Sequence, residues 1–177
     1  MSKTSWQTHL QLALFPLLKA DPPGRIAILG IGSELDGDDA LGPSVIKQLE
    51  KRRGNNPKWQ VITLIDTGPV PESFTGTLRQ LQPDLVLLVD AADLGAQPGE
   101  IHWLPWGASQ GFSASSHTLP LYMFSSYLTH ELDCRVALLG VQTQSLELGA
   151  DLSTPVCKAR DKIVRAIDGL IELSISQ

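Results

Sequence analysis

At 177 residues, with 42% hydrophobic and 19% charged residues, the chain is long enough for one domain with a full core. A formal net charge of −5 argues against a general binder of phosphate backbones, which needs a basic face. The two cysteines, Cys134 and Cys157, form neither a CxxC pair nor a dense framework, so reduced thiols and a cytoplasmic setting are expected.

The first element in chain order is Trp6–Leu18, which carries the apolar stretch LQLALFPLL. Only Lys3 supplies charge ahead of it, and Asp21-Pro22-Pro23 follows Ala20 where a signal peptide would be cut. An amphipathic surface helix is therefore expected, and Asp21-Pro22-Pro23-Gly24 makes a stiff joint after it. No run approaches the ~20 apolar residues of a membrane span. Five apolar runs then read as strands: Arg25–Ile31, Gln60–Asp66, Leu85–Asp90, Glu100–Leu104 and Arg135–Val141. Three are nearly continuous in Val, Ile and Leu, as in strands buried on both faces.

Helical patterns cover Asp39–Arg53, Glu72–Gln80, Thr118–Leu132 and Pro155–Leu173. Thr154 offers an N-cap before Pro155, and Pro120 suits a first helical turn. The turn Gly95–Gly99, with Pro98, is too short for a parallel crossover, so the fourth strand is expected to run antiparallel to its neighbour. The alternation predicts an α/β fold, a three-layer α/β/α arrangement around a twisted, mostly parallel five-stranded sheet. We expect a single domain over 1–177, with 1–24 as a helical extension and 25–177 as the core.

The junction Arg25–Gly42, RIAILGIGSELDGDDALG, is the most informative stretch. A buried strand runs into Gly30-Ile31-Gly32 and then into carboxylates that open a helix, where ligands of open α/β sheets bind. A dinucleotide is a poor fit: Leu35 replaces the third glycine of GxGxxG, and Glu34, Asp36, Asp38 and Asp39 would face the pyrophosphate. One carboxylate suffices to cap a helix. Asp36, Asp38 and Asp39 together repel one another unless a cation or proton compensates.

Asp90 ends the strongest apolar run, and Asp66 ends the second strand as either a substrate-loop or a turn residue. His117 precedes a helix after two serines. Two carboxylates and one imidazole from three loops would form a site with open coordination positions, suited to zinc, nickel, cobalt or manganese. His9, His102 and His130 have no comparable neighbours. No serine occupies a GxSxG elbow and neither cysteine has a local activating group, which disfavours covalent catalysis.

GIGSELDGDDALG resembles the N-terminal signature of the hydrogenase maturation endopeptidases, which clip a C-terminal extension from the nickel-loaded large subunit of [NiFe]-hydrogenase. The resemblance continues through PDLVLLVDAADLGAQPGEI, SSHTLPL and LLGVQTQSLELGADLSTPV, in order, from about Arg25 to the C-terminus. The DAADLGAQPGEI block is similar to the branch serving membrane-bound or formate-linked hydrogenases. The resemblance implies a twisted, mostly parallel five-stranded sheet with helices on both sides. It implies three metal-contacting residues, at Asp39, Asp90 and His117, with Asp39 rather than Asp38 as the ligand of the GDD motif. Ser33 stands where asparagine is commoner. Ala40 stands where glycine is commoner, which requires negative φ there.

On this resemblance nickel arrives with the substrate, and no permanent cofactor is expected, although zinc or another divalent ion could fill the site in vitro. Asp39, Asp90 and His117 would grip the nickel, and Asp38 is a further candidate for the base. The implied partner is the hydrogenase large-subunit precursor, with no nucleic acid and no membrane span, and the protein is expected to act as a monomer. Three rivals remain: a nickel-site-binding maturation chaperone that does not cut, a hydrolase with its own zinc, and a magnesium phosphohydrolase using Asp36 and Asp38.

Overall fold

A computed structural model describes residues 5–105 and 121–174. Five strands form one sheet: β1 (Ile26–Ile31), β2 (Ile62–Gly68), β3 (Leu85–Ala92), β4 (Ile101–Pro105) and β5 (Arg135–Gln142). Their spatial order is β2-β1-β3-β5-β4. β1 pairs in parallel with β2 and β3, and β3 pairs in parallel with β5. β4 alone runs antiparallel, against β5, as the short Gly95–Gly99 connection required.

The helices are α1 (Trp6–Lys19), α2 (Leu41–Arg53), α3 (Thr75–Leu81), α4 (Leu121–Leu132) and α5 (Thr154–Leu173). The twofold period of the strands sorts their side chains into two layers of core. Ile26 and Ile28 of β1, with Leu85, Leu87 and Val89 of β3, join Leu10 and Leu14 of α1, Val45 and Leu49 of α2, and Ile163 and Ile167 of α5. Ala27, Leu29 and Ile31, with Val86 and Leu88, join Leu78 of α3 and Phe124 and Leu128 of α4 on the other face. The result is the expected three-layer α/β/α arrangement.

Several boundaries moved for local reasons. The expected helix from Asp39 begins at Leu41, because Gly37–Ala40 closes into a 3-10 turn. The helix expected from Glu72 likewise splits into a 3-10 turn, Pro71–Phe74, and α3. Thr154, expected as the cap of α5, is its first residue, and Ser153 occupies the N-cap position without a side-chain capping bond. β2 and β3 each extend two residues past Asp66 and Asp90. The N-terminal helix is amphipathic, as expected: Leu10, Leu14 and Leu18 make one buried stripe, Leu12 is exposed, and His9 stacks on Trp103 of β4 with ring centroids 6.1 Å apart. The proposed first turn at Pro120 lies outside the described residues. No described helix is long and apolar enough to cross a membrane.

Candidate active site

The strand order fixes where a site can form. From β1 the chain moves outward to β2, then returns across β1 to lay down β3 on its other side. The connections therefore leave the carboxyl ends of β1 and β3 in opposite senses and open a crevice between them. Asp39 lies in the turn that follows β1, and Asp90 lies near the end of β3.

Close backbone packing draws that turn onto the sheet. A Cβ on Gly42 would overlap the main chain of Ile31 and come within 2.7 Å of the Val89 carbonyl oxygen. Only glycine lets the start of α2 approach both strands at once. Gly32, at φ +130°, would carry a Cβ into the Asp39 carbonyl oxygen. The turn is thus pressed against β1 and next to Val89, the residue before Asp90. Ala40 has φ −68°, so its departure from glycine costs no backbone strain.

Both acids are removed from solvent, Asp39 at 2% exposure and Asp90 at 0%. Asp39 Oδ2 accepts a 2.7 Å hydrogen bond from the Ser33 amide, which fixes the carboxylate over the end of β1. Asp90 stands opposite Gly140 of β5 and shares the sheet face of Val86 and Leu88, the face covered by α3 and α4. His117 lies outside the described residues. Among the described residues alone, no three His, Cys, Asp or Glu side chains gather into a metal-holding group.

Asp38 is wholly buried and points elsewhere. Its Oδ2 accepts hydrogen bonds from the amides of Gln144 (2.7 Å) and Ser145 (3.0 Å) and from the Ser153 hydroxyl (2.9 Å). Its Oδ1 accepts the Ser153 amide at 2.7 Å. The Asp38 amide donates to the Ser145 carbonyl at 2.9 Å. This carboxylate therefore binds the loop 143–153 to the turn that carries Asp39, and it supplies negative charge at the N-terminus of α5.

Asp66 is exposed, and its Oδ1 accepts the Gly68 amide at 3.0 Å, the turn-forming alternative of its two readings. The neighbouring Thr67 donates its hydroxyl to the Gly30 carbonyl at 3.0 Å and ties β2 to the glycine turn.

Two contributors were not singled out from sequence. Gln142 ends β5 and is buried; its Oε1 accepts the amides of Leu94 (2.7 Å) and Ala96 (3.1 Å), holding the loop after β3. Ser153 is the second, through Asp38. A polar residue closing an apolar strand is the signal that marked Asp90, and it applies equally to Gln142. Nothing in the sequence marks Ser153 beyond its place before a helix.

The family model described as hydrogenase maturation protease, HycI, matches residues 43–169. A putative hydrogenase maturation protease of Methanocaldococcus jannaschii is 32% identical over 151 residues, covering 84% of this chain and 89% of that protein. The hydrogenase 3 maturation protease of Escherichia coli is 29% identical, covering 80% of this chain and 88% of its own length. Among solved structures, the [NiFe] hydrogenase maturation protease HycI of Thermococcus kodakarensis superposes with a TM-score of 0.77 at 28% identity. That likeness covers 90% of this chain and 99% of the other.

Proposed function

Since the chain belongs to the HycI hydrogenase maturation protease family, we propose that it removes the C-terminal extension of a nickel-loaded [NiFe]-hydrogenase large-subunit precursor, using the substrate's nickel as its recognition element. The observation that carries this reading is the pair of buried acids, Asp39 in the turn after β1 and Asp90 near the carboxyl end of the adjacent strand β3. Carboxylates are hard oxygen ligands, and a metal with open coordination positions accepts them. Membership of the family supports a metal delivered by the substrate.

In this reading Asp39, Asp90 and His117 take vacant coordination positions on nickel already bound by the precursor. Binding through the metal makes nickel insertion a condition for cutting, because an empty precursor forfeits those contacts. The scissile bond is then held near the site for attack by water. The nickel polarises the carbonyl or the water, or a carboxylate accepts the proton. The four donors around Asp38 support a positioning role for it rather than that of the base.

The DAADLGAQPGEI block favours a precursor of the membrane-bound or formate-linked type. The proposed setting is the cytoplasm, where the protein acts as a monomer without a permanent cofactor. The test is a cleavage assay on nickel-loaded and nickel-free precursor, read by mass spectrometry. Loss of a C-terminal peptide from the loaded form alone is the expected result. Equal cleavage of both forms would remove nickel from recognition, and binding without cleavage would favour the maturation chaperone.

A further inference from the structure

At the mouth of the crevice three large apolar side chains face solvent: Leu35 at 67% exposure, Leu146 at 41% and Leu148 at 75%. They come from two loops, the one after β1 and the one after β5, and the two loops are bound into one platform. The Gly149 amide donates to the Leu35 carbonyl at 2.7 Å, and the Asp38 carboxylate fastens residues 144, 145 and 153 to the same turn. A Cβ on Gly37 would lie 2.8 Å from the Ser145 carbonyl oxygen, so the loops also pack backbone to backbone. Apolar side chains displayed on a pre-ordered surface beside a site mark a place where a partner binds.

The charge around the platform indicates which partner. Among the described residues, the loops at this end of the sheet are 32–40, 69–74, 93–100 and 143–153, and all contain carboxylates and no lysine or arginine. All 14 Lys and Arg residues of the chain lie outside these loops in sequence, and of them Lys47 and Arg160 line a pocket with Glu34 and Asp151. Glu34 reaches Lys47 of α2 at 3.5 Å, but Asp36, Glu147 and Asp151 form no ion pair among the described residues. A complementary surface carries apolar side chains bordered by lysine and arginine.

We propose that Leu35, Leu146 and Leu148, edged by Asp36, Glu147 and Asp151, form the docking platform for a basic, partly apolar segment of the hydrogenase large-subunit precursor. The proposal rests on the precursor being the substrate. It adds to recognition through the metal a second set of contacts, made by the protein part of the precursor. The leucines supply affinity and the carboxylates steer the encounter, so the two contributions separate by their salt dependence.

The experiment measures binding and cleavage together, with the full chain and a nickel-loaded large-subunit precursor encoded in the same genome. Leu35→Ser with Leu148→Ser, and separately Glu147→Lys with Asp151→Lys, are compared with the wild type at low and high salt. The leucine variant is expected to raise the Kd and KM about tenfold or more, with kcat and Tm unchanged. The charge variant is expected to lower the association rate and to lose most of the wild type's salt dependence. Wild-type cleavage with unchanged Kd and KM in both variants would overturn the platform and leave the protease reading standing. Binding without cleavage by the wild type, weakened in the leucine variant, would retain the platform and overturn the protease reading. A wild type that neither binds nor cleaves would overturn both.

Discussion

Asp38 and Ser153 are 115 positions apart in the chain, yet Ser153 gives Asp38 both its amide hydrogen, to Oδ1 at 2.7 Å, and its hydroxyl hydrogen, to Oδ2 at 2.9 Å. Ser153 is the N-cap of α5 by backbone geometry, but its side chain makes no capping bond to its own helix. Its hydroxyl is committed to Asp38 instead. The two neighbouring acids thereby separate in function: Asp38 joins the loops, and Asp39 stands in the crevice.

This arrangement makes Asp38 costly to replace. Asp38→Asn turns half of the carboxylate's accepting capacity into donors that face N–H groups. Buried hydrogen bonds to a charged group contribute about 1.5–3 kcal/mol each, and unsatisfied donors add their desolvation cost. We expect Asp38→Asn to lower stability by about 3–5 kcal/mol in urea unfolding, near the upper end for single substitutions. A loss below about 0.5 kcal/mol, the range of ordinary surface changes, would show that the loop is held by other contacts.

Two glycines give opposite expectations. A Cβ on Gly42 would strike the main chain of Ile31, which cannot withdraw without breaking β1, whereas a Cβ on Gly169 in α5 would meet nothing within 4 Å. Gly169→Ala should therefore stabilise the protein by about 1 kcal/mol through helix propensity alone. Gly42→Ala should destabilise it by several times that amount and push the Asp39 turn away from β3, with loss of activity. A Gly42→Ala protein with wild-type Tm and activity would contradict the close approach.

Much of this fold was legible because strand burial and helix periodicity are local signals. The continuous apolar runs ending at Ile31 and Val89 read as buried strands, and the short Gly95–Gly99 turn pointed to an antiparallel strand after it. Asp39 and Asp90 could be singled out as candidates because each carboxylate lies beside an apolar strand end, although the same signal at Asp66 marks only a turn. The 3-10 turns at Gly37 and Pro71 were not legible; they pack against β3 and β2, tertiary contacts that no local pattern announces. The true task of Asp38 was hidden for the same reason: all four donors come from residues 144–153, and no local pattern connects them to the GDD motif.

Cys134 gives a pH-dependent test of the core. Its thiol is buried and pushed up to about 11 from an ordinary value of 9.0, chiefly by desolvation, partly offset by a backbone hydrogen bond, with Asp133 adding to the rise. The folded state holds the proton more tightly than the unfolded state. The associated stability is complete below pH 9 and declines as the pH climbs toward 11. Urea unfolding across this window should show a steeper decline for the wild type than for Cys134→Ala, which has no thiol to titrate. Parallel pH profiles would mean that Cys134 ionises as freely in the folded protein as in the unfolded chain. In native protein at pH 8, Cys134 should also resist alkylation, which requires the thiolate.

The sharpest test of the mechanism is Asp90→Asn. The side chain keeps its size, so its place on β3 opposite Gly140 is preserved, but the negative charge is removed. If Asp90 contributes to holding the substrate's nickel, an amide is a much poorer ligand, and cleavage of the loaded precursor should fall to background while circular dichroism and Tm stay near wild type. Asp39→Asn should behave similarly in cleavage but lose some stability, because its Oδ2 also holds the Ser33 amide at 2.7 Å. The two variants thus separate charge at the crevice from support of the turn. Near-normal processing by Asp90→Asn would remove Asp90 from the mechanism. Restored stability without restored cleavage, on adding a stabilising Gly169→Ala to Asp39→Asn, would confirm that the loss of activity at Asp39 is chemical.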